Sequence, residues 1–150
     1  MSEKRCSEHL KVSKIKVSER GKQAVFLNPE RSPFVRTQVD GCLVEQATAC
    51  DWWITRNGEE SVLVELKGCD VSKALDQIVA TFEYLKASGS LTKRIAALVV
   101  CRNPTCHPIF TSKLQRIKNR LSSEFRAPLH VVSGNFEYKM DCLLSHKGPF

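Results

Sequence analysis

The chain reads as a single α/β domain: a mixed β-sheet flanked by helices. Three observations predict it. CDWWIT (50–55) and SVLVELK (61–67) are two strand-like runs around the hairpin signal Asn57-Gly58. After Gly68 the apolar period lengthens, and Val71, Ala74, Leu75, Ile78, Val79, Phe82 and Leu85 recur at three- and four-residue steps. A buried-type strand, RIAALVVC (94–101), then a second helical pattern and a short strand complete an alternation that puts helices on sheet faces.

Taken in order, Lys11 to Val17 alternates weakly, and Lys22 to Leu27 reads as a second strand, with ERG (19–21) as the turn between them. Asn28 to Pro33 holds two prolines and is a loop. Phe34 to Val44 mixes β-branched and polar residues around Asp40-Gly41, as a strand or a hairpin. Residues 71–87 form an amphipathic helix with Asp70 as its N-cap and SGS (88–90) as its stop. Thr111 to Phe125 is a second helix, with Leu114, Ile117 and Leu121 on the inner face and Lys113, Arg116, Lys118 and Arg120 spread outside. Leu129 to Val132 is a short strand, and the tail FEYKMDCLLSHKGPF fits no single element. No repeat, low-complexity tract or linker divides residues 1–150.

Composition narrows the class. The 150 residues are 42% hydrophobic, as in a globular domain with a modest core. No apolar run approaches the ~20 residues of a membrane helix, and MSEKRCSEHLKVSK lacks the apolar centre of a signal peptide. The expectation is a cytoplasmic protein with no membrane partner. The seven cysteines are odd in number and contain no CxxC pair, which points away from a zinc ribbon or a disulfide framework. Cys101, Cys106 and His107 lie close together, but no fourth ligand accompanies them. Reduced, mostly buried thiols are expected.

The net charge of +7 is unevenly spread. Residues 1–39 carry nine Lys/Arg against four Glu, residues 40–90 nine Asp/Glu against four Lys/Arg, and residues 91–139 nine Lys/Arg against Glu124 and Glu137. An acidic centre inside a basic frame suggests acids that hold a cation and bases that hold phosphates. The competing reading is ordinary solvated charge.

On the strand 61–67, side chains alternate, so Leu63, Glu65 and Lys67 share one face and Val62, Val64 and Leu66 the other. Whether Asp51 joins Glu65 depends on the turn. A two-residue Asn57-Gly58 turn pairs Asp51 with Val64 and turns it away. A three-residue loop over 57–59 pairs it with Glu65, and a five-residue loop also shifts the pairing by one. If the acids meet, one pKa rises or a cation binds between them. Oxygen ligands suit Mg²⁺ or Mn²⁺, with the Leu66 carbonyl as a third ligand. Lys67 would then support charge or position water for phosphodiester hydrolysis.

Asp51, followed by Glu65-Leu66-Lys67 and then a helix and a strand, resembles the PD-(D/E)xK nuclease superfamily, over roughly residues 45 to 101. The resemblance implies a restriction endonuclease-like core, with Asp51 and Glu65 as metal ligands and Lys67 as the catalytic lysine. Cys50 stands where the family has proline, and no N-terminal helix is evident. Asp40 and Glu45 are the candidates for an additional upstream acid, and Gln77 for a helix glutamine reaching the site. The run VDGC…CDWW…VELKGCDVSKALDQI is also similar to a group of small bacterial proteins of unassigned function. The expected activity is a Mg²⁺-dependent DNA endonuclease, structure-selective and acting as a homodimer or with a partner protein. The alternatives are a non-catalytic nucleic-acid- or partner-binding module on the same fold and an accessory subunit active only with a second chain.

Other candidates have plainer readings beside them. An ExK tripeptide on a half-exposed strand is commonly a cross-strand pair worth a few tenths of a kcal/mol. Lys73, Gln77, Thr81 and Tyr84 form a second helix stripe, either solvated or facing the site. Lys73, Lys113, Arg116 and Arg120 are the candidates for phosphate contacts, with a solvated basic face as the alternative. Trp52 and Trp53 point to opposite faces, one into the core and the other under a helix or onto a base.

Overall fold

The two apolar runs at 61–67 and 94–101 become the central strands of a six-stranded sheet. The computed structural model describes residues 6–67, 70–101 and 112–150. The sheet runs β1 (Ser7–Leu10), β4 (Phe34–Gln38), β5 (Trp52–Arg56), β6 (Glu60–Lys67), β7 (Arg94–Cys101) and β8 (Leu129–Ser133). Neighbours among the first four are antiparallel, whereas β6, β7 and β8 are parallel. Helix α1 (Val71–Ala87) connects β6 to β7, and α2 (Ser112–Phe125) precedes β8. Both faces of β6 and β7 are covered, which explains their near-continuous apolar sequences.

A second sheet of three strands pairs β2 (Lys14–Glu19) with β3 (Lys22–Leu27) antiparallel, and β3 with β9 (Glu137–Tyr138) parallel. It adds a second β-layer that the expectation of one sheet flanked by helices lacked. Leu63, Ala97 and Val99 pack under α1 and α2, against Leu75, Ile78, Phe82, Ile117 and Leu121. The opposite face, with Ile54, Val62, Val64, Leu98 and Val100, is covered by Ile15, Val17, Ala24 and Phe26 of the small sheet. The short helix α3 (Met140–Leu143) adds Met140 and Leu143 to that side. The molecule is thus a single α/β domain of three layers.

Local signals account for the ends of α1. The Asp70 carboxylate accepts from the Lys73 backbone N–H at 2.9 Å, and Ser88 and Gly89 (φ +70°) close the helix. Strand β1, which the sequence did not signal, owes its place to pairing with β4, Ser7 opposite Thr37. That pairing brings Cys6 beside the loop after β4, where it forms a disulfide with Cys42. The two are therefore not reduced thiols as expected. Such bridges persist mainly in oxidising compartments, so the pairing also bears on the cytoplasmic expectation. Cys50 and Cys101 are buried, as expected. Cys69, Cys106 and His107 lie outside the described residues. Among the described residues no helix is long and apolar enough to cross a membrane.

Candidate active site

The site is assembled by the β5–β6 turn. Arg56 pairs with Glu60 and Trp52 with Val64, leaving a three-residue loop of Asn57, Gly58 and Glu59. Asn57 (φ +55°) and Gly58 (φ +68°) both adopt the left-handed conformation that such a tight loop requires. Continued by one residue, this register sets Asp51 opposite Glu65. Beyond Trp52 and Val64 the strands are joined through the two acids. The Asp51 N–H donates to Glu65 Oε1 at 3.0 Å, and the Leu66 N–H donates to Asp51 Oδ2 at 2.9 Å. Lys67 Nζ lies 3.2 Å from Glu65 Oε2. Of the turn lengths the sequence allowed, the molecule has the three-residue one.

The segment carrying Asp51 is held on two sides. From α1, Gln77 Nε2 donates to the Ala49 carbonyl at 3.0 Å, and Thr81 Oγ1 accepts from the Cys50 N–H at 2.8 Å. From the loop after β4, the Val39 and Asp40 N–H groups donate to the Asp51 and Cys50 carbonyls, both at 3.0 Å. These bonds satisfy the backbone where the chain leaves the loop and enters β5, and they fix where Asp51 starts. Gln77 and Thr81 are both buried, so that stripe of α1 is a clamp and not a solvated face; Tyr84 and Lys73 on the same stripe are exposed.

Burial governs the electrostatics. Glu65 is 1% exposed, and burial, then the neighbouring Asp51 charge, push its carboxyl up to about 8 against the pull of Lys67. The Asp51 carboxyl is also raised, chiefly by burial, with the Leu66 N–H opposing. Gln77 Oε1 is buried with no hydrogen-bond partner among the described residues. Glu65, Asp51, Leu66, Lys67 and Gln77 all line one cavity of about 250 Å³. Two destabilised carboxylates and an unpartnered carbonyl oxygen form an oxygen-rich wall that fits a hard divalent cation. Among the described residues no group of three or more His, Cys, Asp and Glu side chains gathers to hold a metal. Mg²⁺ takes few protein oxygens when water and phosphate complete its shell, and Asp51 and Glu65 are the two lining carboxylates that could hold such an ion.

Of the two upstream acids, Asp40 lines the cavity and Glu45 does not. Three lining residues escaped the sequence reading: Glu19, Arg20 and Lys22, at the tip of the β2–β3 hairpin. Alternation offered one signal, since Lys22 shares a strand face with the buried Ala24 and Phe26. The expected phosphate-tracking stripe of α2 is largely occupied by acids. Lys113 pairs with Asp76 at 2.9 Å, Arg120 bonds Glu83 and Glu124, and Arg116 lines the groove between them. Trp53 packs against the α1–α2 core and Trp52 against the other core, with the Arg36 guanidinium 5.9 Å from the Trp52 ring centroid. Neither ring is a free stacking platform. Compared with protein-family models, curated proteins and solved structures, the chain matches none.

Proposed function

We propose that this chain is a divalent-metal-dependent nuclease that hydrolyses DNA phosphodiester bonds, built on the restriction endonuclease-like core that its motif resembles. The observation carrying this reading is the hairpin register that gathers Asp51, Glu65 and Lys67 in one cavity. Asp51 and Glu65, with the Leu66 carbonyl, would hold Mg²⁺ or Mn²⁺. When bound, such an ion neutralises phosphate charge and acidifies water at neutral pH.

The remaining work falls to the chain's own groups. The Lys67 side chain is 24% exposed, so its ammonium reaches the cavity while staying anchored to Glu65. There it can donate to an incoming water or to the phosphate oxygens on which charge builds. The backbone N–H of Asp51 holds one Glu65 oxygen and Lys67 the other, and the N–H of Leu66 holds one Asp51 oxygen, so Asp51 keeps one oxygen for a ligand and Glu65 shares its second with Lys67. Gln77 Oε1 offers a further acceptor to orient water.

The test is incubation with Mg²⁺ or Mn²⁺ and a panel of linear, nicked, single-stranded and branched DNA. The wild type should cleave at least one substrate, and Lys67→Ala should not, while keeping its DNA affinity. Salt-dependent DNA binding by the wild type with no metal-dependent cleavage would overturn the enzyme reading and leave the binding module.

A further inference from the structure

The β2–β3 hairpin tip presents charges that its own strands leave unmatched. Its two-residue turn, Arg20-Gly21, has φ +51° and +83°, and sets Glu19 directly across from Lys22. Strand alternation places both on the core-facing side, one step beyond the apolar pairs made by Val17 and Ala24. Lys22 is consequently only 8% exposed. Its ammonium donates to the Arg20 carbonyl at a long 3.4 Å and, among the described residues, pairs with no carboxylate. This holds although Glu19, Asp40, Asp51 and Glu65 line the same cavity. Arg20 likewise makes no ion pair among the described residues. An ammonium at the cavity wall with no carboxylate bonded to it can donate to an oxyanion entering the cavity.

The cavity therefore has two poles. Asp51 and Glu65 form an acidic one on the main sheet, and Arg20 and Lys22 a basic one on the hairpin. We infer that Arg20 and Lys22 form a phosphate-binding subsite that seats an oxyanion of the nucleic-acid backbone against the acidic pole. The inference rests on the phosphodiester reading of the same cavity, but it adds substrate-binding residues from a different sheet. The opposing explanation is that Lys22 only balances the nearby acids at longer range. The two differ in what anion affinity does when the charge is removed.

The experiment uses the full chain and a fluorescein-labelled DNA duplex in EDTA, so that binding is read without cleavage, across a salt series. Lys22→Gln should weaken binding about tenfold and lower the salt slope by about one. Arg20→Gly, which suits the left-handed position, should weaken it about threefold, and Lys22→Arg should stay within about threefold of wild type. Thermal shift with Mn²⁺ is measured in parallel, and Lys22→Gln should keep it. Wild-type DNA affinity and salt slope in both Lys22→Gln and Arg20→Gly would overturn the subsite, whatever Mn²⁺ does. Loss of the Mn²⁺ shift in the wild type would defeat the metal reading alone, because the DNA measurement contains no metal.

Discussion

Two charged regions of this molecule treat their charges in opposite ways. Along the α1–α2 contact, Lys113 meets Asp76, and Arg120 meets both Glu83 and Glu124, all at exposed positions except the half-buried Lys113. Every acid there has a basic partner on the neighbouring helix or turn, and Arg120 holds the Glu124 carboxyl below its usual range. In the cavity at the ends of β5 and β6, two carboxylates are crowded together under burial and both are raised. Lys22 sits across from Glu19 without bonding to it. The paired region acts as a surface seam joining two helices, where exposed ion pairs contribute little to stability. The cavity, where Lys67 meets Glu65 but Asp51 and Lys22 form no ion pair among the described residues, concentrates charge at a cost to the fold, which is the usual mark of a site prepared for a ligand.

The sharpest way to break this contrast is catalysis. Asp51→Asn keeps the side-chain shape and should reduce metal-dependent cleavage by about 10²–10³-fold, whereas Arg120→Ala should change it less than about twofold. Equal losses in the two variants, measured as initial rates at saturating Mg²⁺, would erase the distinction.

The next effect is on stability. The Glu65 carboxyl is raised from 4.5 to about 8 in the folded chain. Between those values the folded state binds the extra proton, so stability is full below about pH 4.5 and is lost as pH rises through about 8. Urea unfolding in EDTA at pH 5, 7 and 9 should show a decline of a few kcal/mol, and Glu65→Gln should flatten it. An unchanged decline in that variant would place its cause elsewhere.

A smaller effect tests the clamp from α1. Thr81→Val removes the acceptor of the buried Cys50 N–H and should cost about 1–3 kcal/mol. The same change should slow cleavage, since Asp51 follows directly in the chain. Smallest of all, Arg120→Ala should move the melting temperature by only a few degrees. A larger drop would mean that the helix seam supports the fold more than its exposure allows.

The legible and illegible parts of this protein divide by the range of the interactions involved. The spans of α1 and β7, and the core of α2, follow from apolar periodicity, which is a local property. The meeting of Asp51 with Glu65 was legible only as a condition on the turn, because Asn57-Gly58 is compatible with more than one loop length. The pairing of β1 with β4, the Cys6–Cys42 bridge across 36 residues and the parallel addition of β9 to β3 arise from long-range contacts with no local signature. Glu19 and Arg20 read as part of an ordinary turn and Lys22 as the first residue of a strand. Their place in the cavity depends on how one sheet lies across another, and no window of sequence encodes that. The α2 basic stripe was visible, but its acidic partners on α1 were not, since facing residues on two helices are far apart in the chain.

The loop of Asn57, Gly58 and Glu59 sits at the far end of the hairpin, beginning six residues or roughly 20 Å along the strand from Asp51. Its consequence is arithmetic. Removing a single residue there would leave every reactive side chain in the polypeptide, yet it would change the odd–even count and rotate Asp51 to the opposite surface. A one-codon deletion at this remote bend would thus dismantle the candidate site as surely as a substitution inside it, and alignments that score only matching letters would overlook it.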